Sequence, residues 1–324
     1  MSPGLIWAQE EQPLFASDEL VEMSLKLDVQ AVLDDRGDDA DYHDVLLTYT
    51  DENGQEVELE AKVRTRGKFR RDEETCNFPP LRINFPKKKV ENTLFHGQDK
   101  LKMVTHCQED EYILREYLVY RIYGLLTPYC FRVRLARIQY VDTGGNYPPE
   151  THYAFFIEDE DLLAERCGGQ ELDEEVVVRA EEADPEITRL MYVFQYMIGN
   201  KDFDVLLRRN MKVVQVEGRE KPLPVPYDFD WAEVVDASYT QIAGLSKKAR
   251  LNKRVFRKLC VSEDEIQATF ARFEAVKPQV FELIKNFELL DKASRKEMIK
   301  YFKEFYALIR KPKIVEAHFL KYCN

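Results

Sequence analysis

Val21, Met23, Leu25 and Leu27 alternate with polar residues, the two-residue period of a half-buried strand. The charged run Asp34-Asp35-Arg36-Gly37-Asp38-Asp39 breaks that alternation and reads as a turn. Apolar positions resume over Val45 to Tyr49 and Val57 to Val63. Between them lies Asp51-Glu52-Asn53-Gly54, which has the chemistry of a hairpin turn. Leu81 to Phe85 and Lys100 to Thr105 predict two more short strands. One segment in this half has the other period. From about Asp110 to Leu126, residues Ile113, Leu114, Tyr117, Leu118, Tyr120, Ile122 and Leu125 make a broad apolar helical face. Strands return over Phe131 to Val141 and Tyr153 to Ile157, separated by Gly144-Gly145 and Pro148-Pro149.

Past Glu158-Asp159-Glu160-Asp161 the pattern turns helical, over Glu186 to Ile198 and over everything after about Leu251. Ser262 with Glu265, and Ser294 with Glu297, have the spacing of capping boxes. Val255 to Leu259 and Phe302 to Ile309 read as core-facing stretches. A hairpin is embedded here. Met211 to Val216 predicts a strand, Glu217 to Pro222 a turn, and Leu223 to Asp228 a returning strand. The expected fold class is α+β with two lobes. Residues 1–19 form an N-terminal arm or signal remnant, 20–157 a β-rich lobe with one helix, and 158–324 a helical lobe with the hairpin.

Composition sharpens this only at a few points. The chain has 324 residues, 44% of them hydrophobic, enough for a substantial core. A net charge of -12 argues against nucleic acid as a general partner. No segment has the length of a transmembrane helix. Met1 to Gln9 is short and apolar, then gives way to Glu10-Glu11, like the tail of a secretory signal. The expectation is an extracytoplasmic chain, periplasmic or secreted; a disordered start on a cytoplasmic chain is the other reading. Six widely spaced cysteines without a C-x-x-C pair do not suggest zinc. They fit either disulfides or buried thiols.

The candidate chemistry centres on Asn210, Asp228 and Asp230. Pairing of the two hairpin strands would set Asn210 roughly opposite Phe229, between two carboxylates that share a side of an extended segment. One amide and two carboxylates suit a hard cation carrying phosphates, Mg2+ or Mn2+. The alternative is a hairpin end that is merely polar and solvated. A second feature is Arg64-Thr65-Arg66-Gly67-Lys68-Phe69-Arg70-Arg71. If it continues the preceding strand, Arg64, Arg66, Lys68 and Arg70 share one face and would welcome a polyphosphate. Asp72, Glu73 and Glu74 would otherwise neutralise them. A third is Gly199-Asn200-Lys201-Asp202-Phe203-Asp204, whose carboxylates precede Asn210 closely enough to orient or deprotonate an attacking hydroxyl, or which is simply a helix-terminating Gly-Asn followed by an acidic turn. Glu116 on the long helix is a candidate partner for Arg82 or Lys102, the other reading being a surface pairing of the i,i+4 type. The five histidines lack metal-ligand spacing, and there is no P-loop and no G-x-S-x-G motif.

Taken in order, these parts follow the layout of protein-kinase-like folds. More specifically, the chain resembles the CotH-type spore-coat kinase family and its bacterial relatives. The resemblance runs through Arg66-Gly67, Pro80-Leu81-Arg82-Ile83-Asn84-Phe85, Leu114-Arg115-Glu116-Tyr117-Leu118-Val119-Tyr120 and Tyr153-Ala154-Phe155-Phe156-Ile157-Glu158. It continues through Ile198-Gly199-Asn200-Lys201-Asp202 and Pro226-Tyr227-Asp228-Phe229-Asp230-Trp231. It implies an atypical kinase that uses ATP with Mg2+ or Mn2+. Arg66, Gly67, Lys68 and Arg82 would then face the phosphates, with Lys102 as the other candidate for the strand lysine and Glu116 as its helix partner. Phe156, Ile157 and Glu158 would form the hinge at adenine. Asp202 or Asp204 would be the catalytic Asp, and Asn210, Asp228 and Asp230 the metal ligands. The expected acceptor is a hydroxyl, with a protein Ser/Thr favoured over a glycan or small molecule. The alternative is an exported module that keeps the fold and has lost turnover, because neither Asp has the usual spacing to Asn210.

Overall fold

The computed structural model describes residues 12–241 and 254–323. The signal-like Met1 to Gln9 and the start of the last predicted helical stretch, at Leu251, lie outside the described residues. The chain divides into two compact units, Met1–Ile113 with Val133–Asp159, and Leu114–Arg132 with Glu160–Asn324.

The first unit is a closed barrel. Its strands are β1 (Val21–Leu27), β2 (His43–Thr50), β3 (Glu56–Thr65), β4 (Leu81–Asn84), β5 (Lys100–Val104), β6 (Val133–Asp142) and β7 (Glu150–Ile157). They run in the order β1-β2-β3-β4-β5-β7-β6, and β1 closes the ring by pairing parallel to β6. Alternation decides which side chains fill it: Leu25, Leu47, Val63, Ile83, Leu101, Met103, Ile138 and Phe156 belong to one buried cluster. Closure leaves no strand edge to protect. The expected strands are all present, and the turn at Gly54 adopts φ 77. A short helix, α1 (Val29–Asp34), was not expected before the charged turn. Asp28 caps it by accepting a hydrogen bond from the Ala31 amide, and Val29 and Val32 are buried beneath it. A single apolar pair at that spacing is too short to register as a period.

Helix α2 (Asp110–Leu126) has the expected bounds, yet it is buried on nearly all sides from Ile113 to Tyr120, Arg115 and Glu116 included. The second unit continues with α3 (Glu160–Arg166), β8 (Gly169–Glu171), α4 (Pro185–Ile198), β9 (Met211–Val216), β10 (Leu223–Pro226), α5 (Glu263–Asn286) and α6 (Lys292–Leu308). β8 was not expected; three residues carry no readable alternation, and it forms by pairing beside β9. Asp184 caps α4, and Gly199 ends it at φ 73, in the left-handed region that glycine enters without strain. Ser262 and Glu265 form the expected capping box on α5. The second expected box is corrected. Asp291 caps α6 by accepting from the amides of Ala293 and Ser294, and Ser294 lies inside the first turn, buried. Residues 254–261 are also not helical; Phe256 and Leu259 are buried as expected, but Val255, expected to face the core, is exposed. Disulfides join Cys76 to Cys107 and Cys260 to Cys323. Among the described residues no helix is long and apolar enough to cross a membrane.

Candidate active site

The hairpin register differs from the sequence expectation by two residues. Met211 pairs with Pro226, and the Tyr227 amide donates to the Asn210 carbonyl at 3.1 Å. Asn210 therefore stands opposite Tyr227 rather than Phe229. β10 ends at Pro226 because the backbone leaves the extended region, with Asp228 at φ 59 and Asn210 at φ 51. Asn and Asp enter this left-handed region more readily than other non-glycine residues. Asp228 and Asp230 are thus not neighbours on one side of a strand, and their side chains have different surroundings. Asp228 is half-buried, whereas Asp230 is 3% exposed and accepts from the Tyr239 hydroxyl at 3.1 Å.

Two residues of α2 hold this turn. The Asp228 amide donates to the Tyr120 hydroxyl at 2.7 Å, and the Phe229 amide donates to Glu116 Oε1 at 3.3 Å. Glu116 and Tyr120 are four apart and so share a helix face. Phe229 is fully buried, packed on Tyr120 at 4.7 Å and Phe194 at 5.7 Å between ring centroids. A bulky ring anchored in the core with amides tied on either side gives Asp228 a set position. Sequence reasoning missed Tyr120 and Tyr239, because a tyrosine on an apolar face reads as core until its hydroxyl partner is seen.

The structure also separates Asp202 from Asp204. Asn210 Nδ2 donates to the Asp202 carbonyl at 2.7 Å and to its carboxylate Oδ2 at 3.0 Å. Asp202 is itself held by the buried Asn200, whose Oδ1 accepts from its amide at 2.9 Å, and Arg209 lies 3.7 Å from its carboxylate. Asp204 does other work. It exchanges backbone hydrogen bonds with Arg209, accepts from the Leu207 amide at 3.0 Å, and lies 3.5 Å from Arg257. Asp202, not Asp204, is brought to Asn210. Among the described residues no three His, Cys, Asp or Glu side chains gather as a metal cage. The donor set on offer is one amide and two carboxylates, with the Asn210 amide nitrogen committed to Asp202.

The first unit carries the basic candidates. Arg64 pairs with Arg82 and Arg82 with Lys102 across β3, β4 and β5, so three cations stand side by side on the outer face. Like charges directly opposite one another are destabilising unless countered. The Arg64 guanidinium lies over the Tyr42 ring at 4.8 Å, and Arg82 Nε is buried without a hydrogen-bond partner among the described residues. The expectation that Arg64, Arg66, Lys68 and Arg70 share one strand face is corrected. β3 ends at Thr65, Gly67 turns at φ 91, and Phe69–Arg71 form a 3-10 turn with Arg70 buried. Arg66 continues the ladder only through its amide, which donates to Pro80 at 2.8 Å. At the end of this run Arg71 pairs with Asp38. Phe156 and Ile157 sit within β7, flanked by β5 on one side and β6 on the other. Their backbone groups are engaged in those ladders, and the Phe156 ring is in the barrel core. Glu158, fully buried, is the first residue past the strand.

No family model matches this chain, and no curated protein matches it. Among solved structures, it is similar to a Helicobacter pylori proinflammatory kinase, CtkA. The two are 9% identical, the match covers 78% of this chain and 93% of that one, and the TM-score is 0.42. A likeness of that size leaves both the kinase-like fold and the function to be argued from the residues.

Proposed function

We propose that the chain is an atypical phosphotransferase that uses ATP and a divalent cation, Mg2+ or Mn2+, to phosphorylate a hydroxyl. The observation that carries this reading is the contact of the Asn210 amide with both the carbonyl and the carboxylate of Asp202. It sets one acid beside the root of the hairpin whose other strand leads into Asp228. The donor chemistry fits a hard cation: the Asn210 amide oxygen and the Asp228 carboxylate are the ligands, with the deeply buried Asp230 as the second carboxylate. A cation bound there would neutralise charge on the transferred phosphoryl group. Asp202 is the carboxylate that orients the acceptor hydroxyl and, as general base, takes its proton. Asn210 fixes that carboxylate, Tyr120 and Glu116 fix the turn bearing Asp228, and Phe229 anchors it. In the first unit, the buried Arg82 Nε is a donor suited to a phosphate oxygen, and Lys102, Arg66, Gly67 and Lys68 are the other nucleotide candidates. Glu158 replaces Phe156 and Ile157 as the hinge candidate. Two disulfides support an extracytoplasmic chain, since such bonds persist in oxidising compartments.

ATP with Mn2+ is expected to raise the melting temperature of the wild-type chain, and Asp228→Ala to abolish that rise. An equal rise in the variant would remove Asp228 from the metal site. One observation favours the second reading, an exported module without turnover: Arg209 lies close enough to Asp202 to compensate the charge that proton transfer needs. Transfer of radioactive phosphate from ATP to any acceptor, lost in Asp202→Asn, decides between them.

A further inference from the structure

Four of the large aliphatic side chains that the second unit leaves in solvent sit on two loops: Val176 is 44% exposed, Val177 63%, Leu206 47% and Leu207 65%. The loops are physically joined. Arg208, at φ 50, sends its guanidinium to the carbonyls of Leu172, Asp173 and Val176, at 3.1, 3.2 and 2.8 Å. The turn that presents Leu206 and Leu207 is closed by the backbone exchange between Asp204 and Arg209 and by the Leu207 amide on Asp204. Two Leu and two Val side chains are thus held outward by a framework that spends an arginine on fastening one loop to the other. Scattered apolar residues on a surface need no explanation, but a fastened group of four does.

Charge indicates what covers it. Asp173, Glu174 and Glu175 lead directly into Val176 and are all exposed. Lys212 answers only part of the acidic surroundings, at 2.9 Å from Glu171, 3.8 Å from Glu160 and 4.0 Å from Glu174. Asp173 and Glu175 have no ion pair among the described residues. Of the cations that follow Leu207, Arg208 is engaged by the loop carbonyls and Arg209 lies 3.7 Å from Asp202, which leaves apolar loops with an acidic shoulder, complementary to a polypeptide in which aliphatic residues alternate with Lys or Arg. The same turn runs from Asp204 to Arg209, between Asp202 and Asn210, so a chain docked on it would lie next to the proposed acceptor acid.

We propose that Val176, Val177, Leu206 and Leu207 form the docking point for the acceptor, and that the acceptor is a basic, aliphatic-rich polypeptide segment. The docking rests on the loops themselves; its link to acceptor delivery rests on the phosphotransferase reading. The test measures binding directly, by fluorescence anisotropy on the full chain with three short labelled peptides, Leu alternating with Lys, Ser with Lys, and Leu with Glu. The Leu/Lys peptide is expected to bind, less tightly as salt rises, and the other two to bind at least about tenfold more weakly. Val177→Ser with Leu207→Ser is expected to cost the Leu/Lys peptide about tenfold or more while leaving the melting temperature unchanged, because both side chains are in solvent. Equal affinity in wild type and variant overturns the proposal, as does equal binding of all Lys-containing peptides. Concentration-dependent self-association in sedimentation that the double variant abolishes overturns it too, since a second copy would then be the occupant. Asp228→Ala separates the two readings: lost metal-dependent nucleotide binding leaves peptide affinity intact. With a Ser-bearing Leu/Lys peptide as acceptor, the double variant is expected to raise KM and spare kcat.

Discussion

His106 makes the barrel unit sensitive to acid in a way that one substitution should remove. The side chain is 7% exposed and stacks on His152, with ring centroids 3.7 Å apart and 12° between planes. Phe78 and Tyr140 pack on it at 5.0 and 6.0 Å, and its Nδ1 is buried without a hydrogen-bond partner among the described residues. Asp110 and Glu150 lie at the far partner, 3.3 and 3.5 Å from His152. Burial first, and the charge of His152 second, push the pKa of His106 down from 6.5 to about 3. The unfolded chain then takes up a proton near pH 6.5 that the folded chain refuses. Stability is present in full above pH 6.5 and is lost as pH falls toward about 3. Each pH unit in that window costs about 1.4 kcal/mol, so the loss is about 2 kcal/mol at pH 5 and about 5 kcal/mol at the limit. His106→Phe keeps an aromatic ring on the stack and removes the titration. Urea unfolding at pH 7.5 and pH 5.0, read by hydrogen exchange in β5 and β7, measures both proteins. Acid should weaken the wild type by about 2 kcal/mol more than the variant. Parallel losses would refute the argument, because they would mean that His106 is protonated as readily in the folded barrel as in the open chain.

Four further outcomes are expected. Asp204→Ala should lose about 1–2 kcal/mol, from the Leu207 amide and the Arg257 contact, and keep phosphate transfer. Asp202→Asn should keep stability and lose transfer; the reverse pattern in paired unfolding and transfer assays would exchange their roles. Gly199→Ala should cost about 2–5 kcal/mol in chemical unfolding, since its left-handed backbone penalises a side chain and the new Cβ would collide with the Tyr301 hydroxyl. Replacing Cys76 and Cys107 together by Ala should lower stability by about 3–4 kcal/mol, the entropy of a loop with a sequence separation of 31, with no matching change when wild type is compared before and after mild oxidation.

Local patterning carried much of the fold. β1 and α2 match their expected limits, as does β9, because each has a sustained period and a turn or cap at its ends. Where period was lacking, elements were missed: α1 is six residues, β8 three, and both are held by neighbours distant in sequence, α1 through the Val29 amide on Asp142 and β8 through β9. The spurious cap at Ser294 shows the converse. A correct motif can lie one turn inside a helix when a stronger acceptor, Asp291, precedes it.

At the candidate site, the sequence alone determined the cast: an acid pair after a helix stop, an asparagine before a strand, two aspartates after its partner, and basic residues on three strands. Side-chain chemistry and hydrophobic period are local properties, so they could be read without coordinates. Which residues meet was decided only by tertiary structure. Asn210 and Asp228 both take positive φ where the strands end and Asn210 faces Tyr227, a hydrogen bond gives Asn210 to Asp202, and an ion pair gives Arg257 to Asp204. Tyr120 and Glu116 reach the Asp228 turn from more than a hundred residues away. Backbone conformation at single residues and contacts at long range are settled by the sum of the packing, and no window of the chain contains that sum.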